Sequence, residues 1–208
     1  MTDSRLQIIA EDVIGLAVKD AAEAQALAAH LRQTGPWLEV VPGLDSVAVR
    51  YDPTAIALSS VSDQLAAAQQ SMPDQPRETA PTLEIPVHYG GENGPDLAEI
   101  CTALSLTPSE LIARHTAPLY TVDMIGFTPG FAYLGGLDKA LTIPRRATPR
   151  AHVPAGSIGI SGGYTGLYAM PGPGGWPLIG RTDKTLFDPT SKQPFLIQPG
   201  LRIRLVSV

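Results

Sequence analysis

Glycine and proline are spread so unevenly along this chain that one set of folding rules cannot serve all of it. Residues 1–80 hold three of the 20 glycines and five of the 20 prolines; the rest crowd into residues 81–208. Glycine and proline interrupt regular structure, so the second part must be built from short elements and many turns. The shift predicts two domains, 1–80 and 81–208. The polar, proline-rich segment Ser71–Thr82, "SMPDQPRETAPT", reads as the linker. A length of 208 residues fits one large domain or two small ones.

The first part reads as alternating elements. Leu6 to Ile14 fits a strand. "DAAEAQALAAHLRQTG" fits a helix, with Asp20 as its N-cap, Gly35 as its stop, and Ala21, Ala24, Leu27, Ala28 and Leu31 on one face. "WLEVVP" and "SVAVRYD" are strand-like runs joined by Pro42-Gly43-Leu44-Asp45. Thr54 to Gln70 fits a second helix with Leu58, Val61, Leu65 and Ala68 as its stripe, and "TLEIPVHY" is a last strand. The order β-α-β-β-α-β is that of a ferredoxin-like split unit.

The second part opens with two short helices. Pro95 suits the first helical position of "PDLAEICTALS", and Thr107-Pro108-Ser109-Glu110 is a capping box leading a helix to about His115. Beyond it, "LYTVDMIGF", "SIGIS", "TGLYAM", "PLIGR", "PFLIQ" and "LRIRLVSV" are short strand candidates between turns, the texture of an antiparallel barrel or sandwich.

Composition removes whole classes of function. The net charge of −5, with no Lys/Arg-rich run, argues against nucleic acid. Cys101 stands alone, so intrachain disulfides and cysteine zinc clusters are excluded. The first residues form no signal peptide and no run is long enough for a membrane helix, so a soluble cytoplasmic protein is expected. No metal site is expected, since the histidines lie at no ligand spacing.

Several stretches carry chemistry. "GWPLIGRT" is one residue from the nucleotide phosphate loop G-x-x-x-x-G-K-[ST], with Arg181 in the lysine position. The mechanism needs a helix after the loop and amide donors within it. "DKTLFDPTSKQP" is not helical and Pro177 has no N–H, so tight turns at a barrel rim explain these glycines better. "GFTPGFAYLGGLD" sets Phe127, Phe131 and Tyr133 on a frame of glycines and Pro129; it reads either as a rigid wall beside a pocket or as an aromatic mini-core. Arg145, Arg146 and Arg150 form either a solvated basic stretch or an anion site. His115, at a helix C-terminus, reads either as a cap or as a general acid/base. Ser157 lacks the glycine spacing of a nucleophile elbow.

Four long blocks, in order, resemble a known family: "YGGENGPDL", "RHTAPLYTVDMIGFTPGFAYLGGLD", "PRRATPRAHVPAGSIGI" and "PGGWPLIGRT". They are similar to the signature of the 5-oxoprolinase B-subunit family, also called allophanate hydrolase subunit 1 or the Kip-type histidine kinase inhibitor family. The resemblance implies a small α/β domain followed by a cyclophilin-like β-barrel. It implies a second cyclophilin-like partner, the 5-oxoprolinase C-subunit (allophanate hydrolase subunit 2), and a LamB/YcsF-type A-subunit. The complex would open 5-oxoproline to glutamate with ATP and magnesium, and the chain alone would be inactive. Position by position it implies His115 and Tyr120 as catalytic residues. Phe127, Pro129, Gly130, Arg150, Ser157, Thr165, Tyr168 and Arg181 would bind substrate or anion. The sequence departs from the family at Tyr164, where a glutamine is usual, and at Gly172, where a serine is usual. Two other functions fit the resemblance: an inhibitor of a sensor histidine kinase, and a carboxyltransferase-like partner in urea or allophanate metabolism.

Overall fold

The computed structural model describes residues 6–72 and 81–208. The chain divides into two compact units, residues 1–78 and 79–208. Most of the segment read as a linker, residues 73–80, lies outside the described residues.

The first unit runs β1 (Leu6–Ala10), β2 (Val13–Ala17), α1 (Ala21–Thr34), β3 (Glu39–Pro42), β4 (Ser46–Arg50) and α2 (Leu58–Ser71). Its strands form one antiparallel sheet in the order β1-β2-β4-β3. The first helix follows its sequence signals. Asp20 accepts from the Glu23 amide at 2.9 Å, and Ala21, Ala24, Leu27, Ala28 and Leu31 are buried. Of these, Ala24, Leu27, Ala28 and Leu31 pack with Ile14, Leu16, Val47 and Val49 into one core.

Three expectations for this unit need correction. Leu6–Ile14 is not one strand but most of a hairpin that reverses at Glu11-Asp12. Reversal lets Ile14 and Leu16 alternate onto the core, while Asp12 pairs with Arg50 at 2.7 Å. The second helix begins at Leu58 instead of Thr54, because Asp52 accepts from both the amide and hydroxyl of Thr54 and holds a turn there. Leu58 consequently stays exposed, and the buried stripe is Val61, Leu65 and Ala68. Finally, "TLEIPVHY" does not close this sheet. The order is ββαββα, and β1 occupies the edge that a last strand would take in a split β-α-β-β-α-β unit.

That run is instead β5 (Thr82–Tyr89), the first strand of the second unit. It is followed by α3 (Leu97–Leu104), α4 (Pro108–Thr116), β6 (Leu119–Ile125), β7 (Ala132–Gly135), β8 (Arg150–Val153), β9 (Ser157–Ser161), β10 (Tyr164–Leu167), β11 (Gly172–Gly174), β12 (Leu178–Arg181) and β13 (Arg202–Ser207). Seven strands close a barrel in the order β10-β7-β6-β13-β5-β12-β9, with β9 paired back onto β10; β8 and β11 form a separate ribbon. Closure removes exposed sheet edges. β5 pairs in parallel with β13 over Thr82–Val87, which puts Ile85 and Val87 in the core beside Ile203 and Leu205. "PFLIQ" is no strand; Phe195 makes only an isolated bridge to Phe187.

The helix α4 realises its capping box. Glu110 accepts from the Thr107 amide at 2.7 Å, and Thr107 accepts from the Glu110 amide at 3.2 Å. The helix packs on β13 and carries Leu111 and His115 into the interior, both fully buried.

Candidate functional site

Two assemblies of candidate functional side chains stand in the barrel unit: a polar network sealed inside it and an aromatic cleft on its surface. α4 delivers His115 to the first, and β5, β6 and β10 deliver Tyr89, Tyr120 and Thr165. His115 Nδ1 lies 2.7 Å from the Tyr89 hydroxyl and Nε2 lies 2.9 Å from Thr165 Oγ1. The Tyr120 hydroxyl donates to the His115 carbonyl at 2.7 Å. His115, Tyr120 and Thr165 are fully buried, so every polar atom must be satisfied within the protein. Burial pushes the His115 pKa down to about 3 and raises the Tyr89 and Tyr120 phenols. At neutral pH the imidazole is uncharged, with each ring nitrogen taken by a hydroxyl.

The cleft has a volume of about 270 Å³. Its aromatic walls are Phe127, Phe131, Tyr133, Tyr168 and Trp176. Phe131 is the hub. Tyr168, Tyr133, Trp176 and Phe127 meet it edge to face, with ring centres at 4.8, 4.9, 5.6 and 5.7 Å. That geometry is favoured by the ring quadrupoles. Alternation along β10 explains how both assemblies share one strand. Thr165 points inward to His115, while Tyr164 and Gly166 point outward, Tyr164 against Tyr133 at 6.3 Å. Gly166 is required because a Cβ there would lie 2.6 Å from Phe131 and 2.8 Å from Trp176. Gly130, at φ +75°, similarly turns the chain from Phe127 toward Phe131, and its missing Cβ would meet Phe195 at 2.8 Å. Phe127 itself has φ +72° and an exposed ring, an uncommon backbone for a non-glycine residue.

Arg145 and Arg146 line the same cleft. Arg146 is fixed by its backbone amide to the Gly175 carbonyl at 2.8 Å, and by Nη1 to Asp96 at 2.8 Å. Arg150 binds Asp96 with both terminal nitrogens, at 2.9 and 2.7 Å, and the Leu178 amide donates to it at 2.6 Å. Burial would raise the Asp96 carboxyl, but the bonds from Arg150 and Leu178 and the charge of Arg146 outweigh it and hold it below the ordinary value.

The residues named from the sequence therefore separate. Phe127 and Tyr168 line the cleft, whereas Pro129 and Gly130 are not among its lining residues and stand in the turn between Phe127 and Phe131. His115, Tyr120 and Thr165 meet one another in the interior and do not line the cleft. Arg150 is committed to Asp96. Ser157 is buried and paired across the sheet with Arg181, whose Nε donates to the Ala155 carbonyl at 3.0 Å, away from the cleft lining. The stretch around Arg181 enters strand β12, so the phosphate-loop geometry is absent there. Gly172, one of the two family departures, starts β11 opposite Val153. Asp96 is the residue that sequence reasoning missed. It lies in "YGGENGPDL", but nothing local tells that it gathers two arginines from 50 and 54 positions away. Among the described residues no cluster of three His, Cys, Asp or Glu fits a metal, and no helix is long and apolar enough to cross a membrane.

A mixed α/β chain with a closed barrel and an aromatic–arginine cleft is the class defined by these observations. Residues 2–197 match the family described as carboxyltransferase domain, subdomain C and D, and the chain belongs to that family, among the sequences named as the B-subunit of 5-oxoprolinase. It is 52% identical to the 5-oxoprolinase B-subunit of Haemophilus influenzae over 124 residues, which cover 60% of this chain and 58% of that protein. It is 41% identical to the protein of the same name from Escherichia coli O157:H7 over 170 residues, covering 81% of this chain and 77% of that one. Among solved structures, TTHA0988 superposes with a TM-score of 0.80 at 33% identity, covering 95% of this chain but only 40% of its own. The Kluyveromyces lactis urea amidolyase shares the fold, with a TM-score of 0.81 at 16% identity over 98% of this chain and 15% of that one.

Proposed function

We propose that this chain is the component of a 5-oxoprolinase that holds the substrate carboxylate while 5-oxo-L-proline is opened to L-glutamate. The observation that carries the reading is the aromatic cleft bordered by Arg145 and Arg146, in a chain whose relatives bear that enzyme's name. 5-Oxoproline is a nearly flat five-membered lactam with one carboxylate. Its ring suits aromatic walls and its carboxylate suits a guanidinium fork. A cleft of about 270 Å³ is of metabolite size, just below the ~300 Å³ where pockets for drug-sized ligands begin.

A lactam is an unreactive amide, so ring opening needs activation. ATP with magnesium supplies it at the level of the complex by phosphorylating the amide oxygen, and no residue of this chain is assigned to the nucleotide. The partners are a second cyclophilin-like protein, the C-subunit, and a LamB/YcsF-type A-subunit, in the cytoplasm; alone the chain is inactive. Its own residues bind and orient. Arg145 and Arg146 fix the carboxylate, Tyr133 and Tyr168 flank the ring, and His115, neutral and enclosed, supports the strand beneath them.

The test is co-expression with the two candidate partners and assay of ATP-dependent glutamate release, with calorimetric titration of 5-oxoproline in parallel. Arg145→Ala is expected to weaken 5-oxoproline binding roughly tenfold or more, the worth of one charge-assisted contact. Undiminished binding in that variant, or no glutamate from the assembled complex, overturns the reading. A carboxyltransferase-like role in urea or allophanate metabolism is a second reading, favoured by the family description and the fold shared with urea amidolyase. It predicts carboxyl transfer from carboxybiotin in the same assembly.

A further inference from the structure

The positive charge around the cleft exceeds what its carboxylate balances. Arg150 spends both terminal nitrogens on Asp96 and Arg146 spends its Nη1 there; Asp96 is the one carboxylate that contacts either of them among the described residues. Arg145 lines the cleft, is exposed, and makes no ion pair among the described residues. Arg146 Nε is buried in the wall with no acceptor. Three guanidinium charges thus face one carboxylate, leaving a surplus of two. The lining contains no acid, and burial raises the phenols of Tyr133 and Tyr168, so they add no negative charge. One carboxylate would balance half of the surplus. A doubly ionised phosphoryl group balances all of it and offers three acceptor oxygens to the two forks.

We infer that the cleft is a subsite for an organic phosphate dianion on a small flat body. The inference rests on the cleft being the ligand site proposed above, and adds the charge and chemical class of the species that it holds best. It requires no bond making or breaking by this chain.

Phenyl phosphate and benzoate share a ring and differ in charge, so they are the probes. Binding is read from Trp176 fluorescence in a Trp37→Phe background, since these are the two tryptophans of the chain. At pH 8 phenyl phosphate is expected to bind about tenfold or more tighter than benzoate. At pH 5 it loses most of that advantage, because the second phosphate ionisation falls near pH 6, while benzoate stays ionised. Arginine keeps its charge throughout, and Asp96 is held below its ordinary range. His152 is exposed on β8 two residues from Arg150, and His152→Gln must leave the pH effect intact. Arg145→Gln, at an exposed position that does not threaten the fold, is expected to remove the preference for the dianion. Inorganic phosphate, without the ring, is expected to bind more weakly than phenyl phosphate. Equal affinities of the two aromatic probes at pH 8, or an unchanged preference in Arg145→Gln, overturns the inference. If 5-oxoproline binds in the same assay and the dianion is not preferred, this inference falls and the carboxylate site stands. If neither binds, both fall.

Discussion

Acid places the cost of a buried charge on His115. The ring is fully buried, and burial holds its pKa near 3 against an ordinary 6.5. A base whose folded pKa is depressed is protonated first in the unfolded chain. Between about pH 6.5 and pH 3 the unfolded state binds the extra proton, so stability is full above that window and falls as pH falls through it. At roughly 1.4 kcal/mol per pH unit the whole window is worth about 5 kcal/mol, the lower end of a typical domain's total stability. His115→Leu removes this titration, and it also strands the Tyr89 and Thr165 hydroxyls, at about 1–3 kcal/mol each. The wild-type chain should therefore be several kcal/mol more stable than the variant at pH 8 and lose most of that advantage by pH 4. Urea unfolding followed by Trp176 fluorescence, in the Trp37→Phe background, measures the difference at each pH. Subtracting the two curves cancels carboxylates common to both. A difference that does not change between pH 4 and pH 7 would refute the argument, as would an NMR titration placing His115 near 6.5.

The remaining predictions concern the cleft and its supports. Gly166→Ala forces a methyl between Phe131 and Trp176; a loss of about 1–3 kcal/mol and a shifted Trp176 emission are expected, measured by thermal melts and fluorescence. Asp96→Asn removes the carboxylate shared by Arg146 and Arg150 and should cost about 3–5 kcal/mol by chemical denaturation, a loss that high salt does not restore. Thr107→Ala breaks the capping box and should cost about 1 kcal/mol, since the other reciprocal bond, from the Thr107 amide to Glu110, can persist.

Local rules carried the sequence reading far where the signal and its cause lie within a turn of each other. Asp20 and Gly35 bound α1, Thr107 and Glu110 start α4, and alternating apolar residues mark β4 and β13. They failed where a local bond overrode periodicity, as Asp52 and Thr54 did at the start of α2. The site was legible in part. The glycine-framed aromatics of 126–138 line the cleft, and Arg145 and Arg146 stand in the stretch read as a possible anion site.

By itself, then, the sequence determined elements such as α1, α4, β4 and β13 and the contrast between a helix-backed α/β part and a turn-rich β part. It did so because capping, turn chemistry and side-chain alternation act over a few residues. Only the tertiary structure decided the partners. It sent β5 to the distant β13, brought Asp96 to two arginines, enclosed His115 between Tyr89 and Thr165, and left Arg145 in the open cleft. Those choices follow from barrel closure, which joins residues as far apart as Asp96 and Arg146, or Thr82 and Arg202. No periodicity of the chain carries information over such a separation.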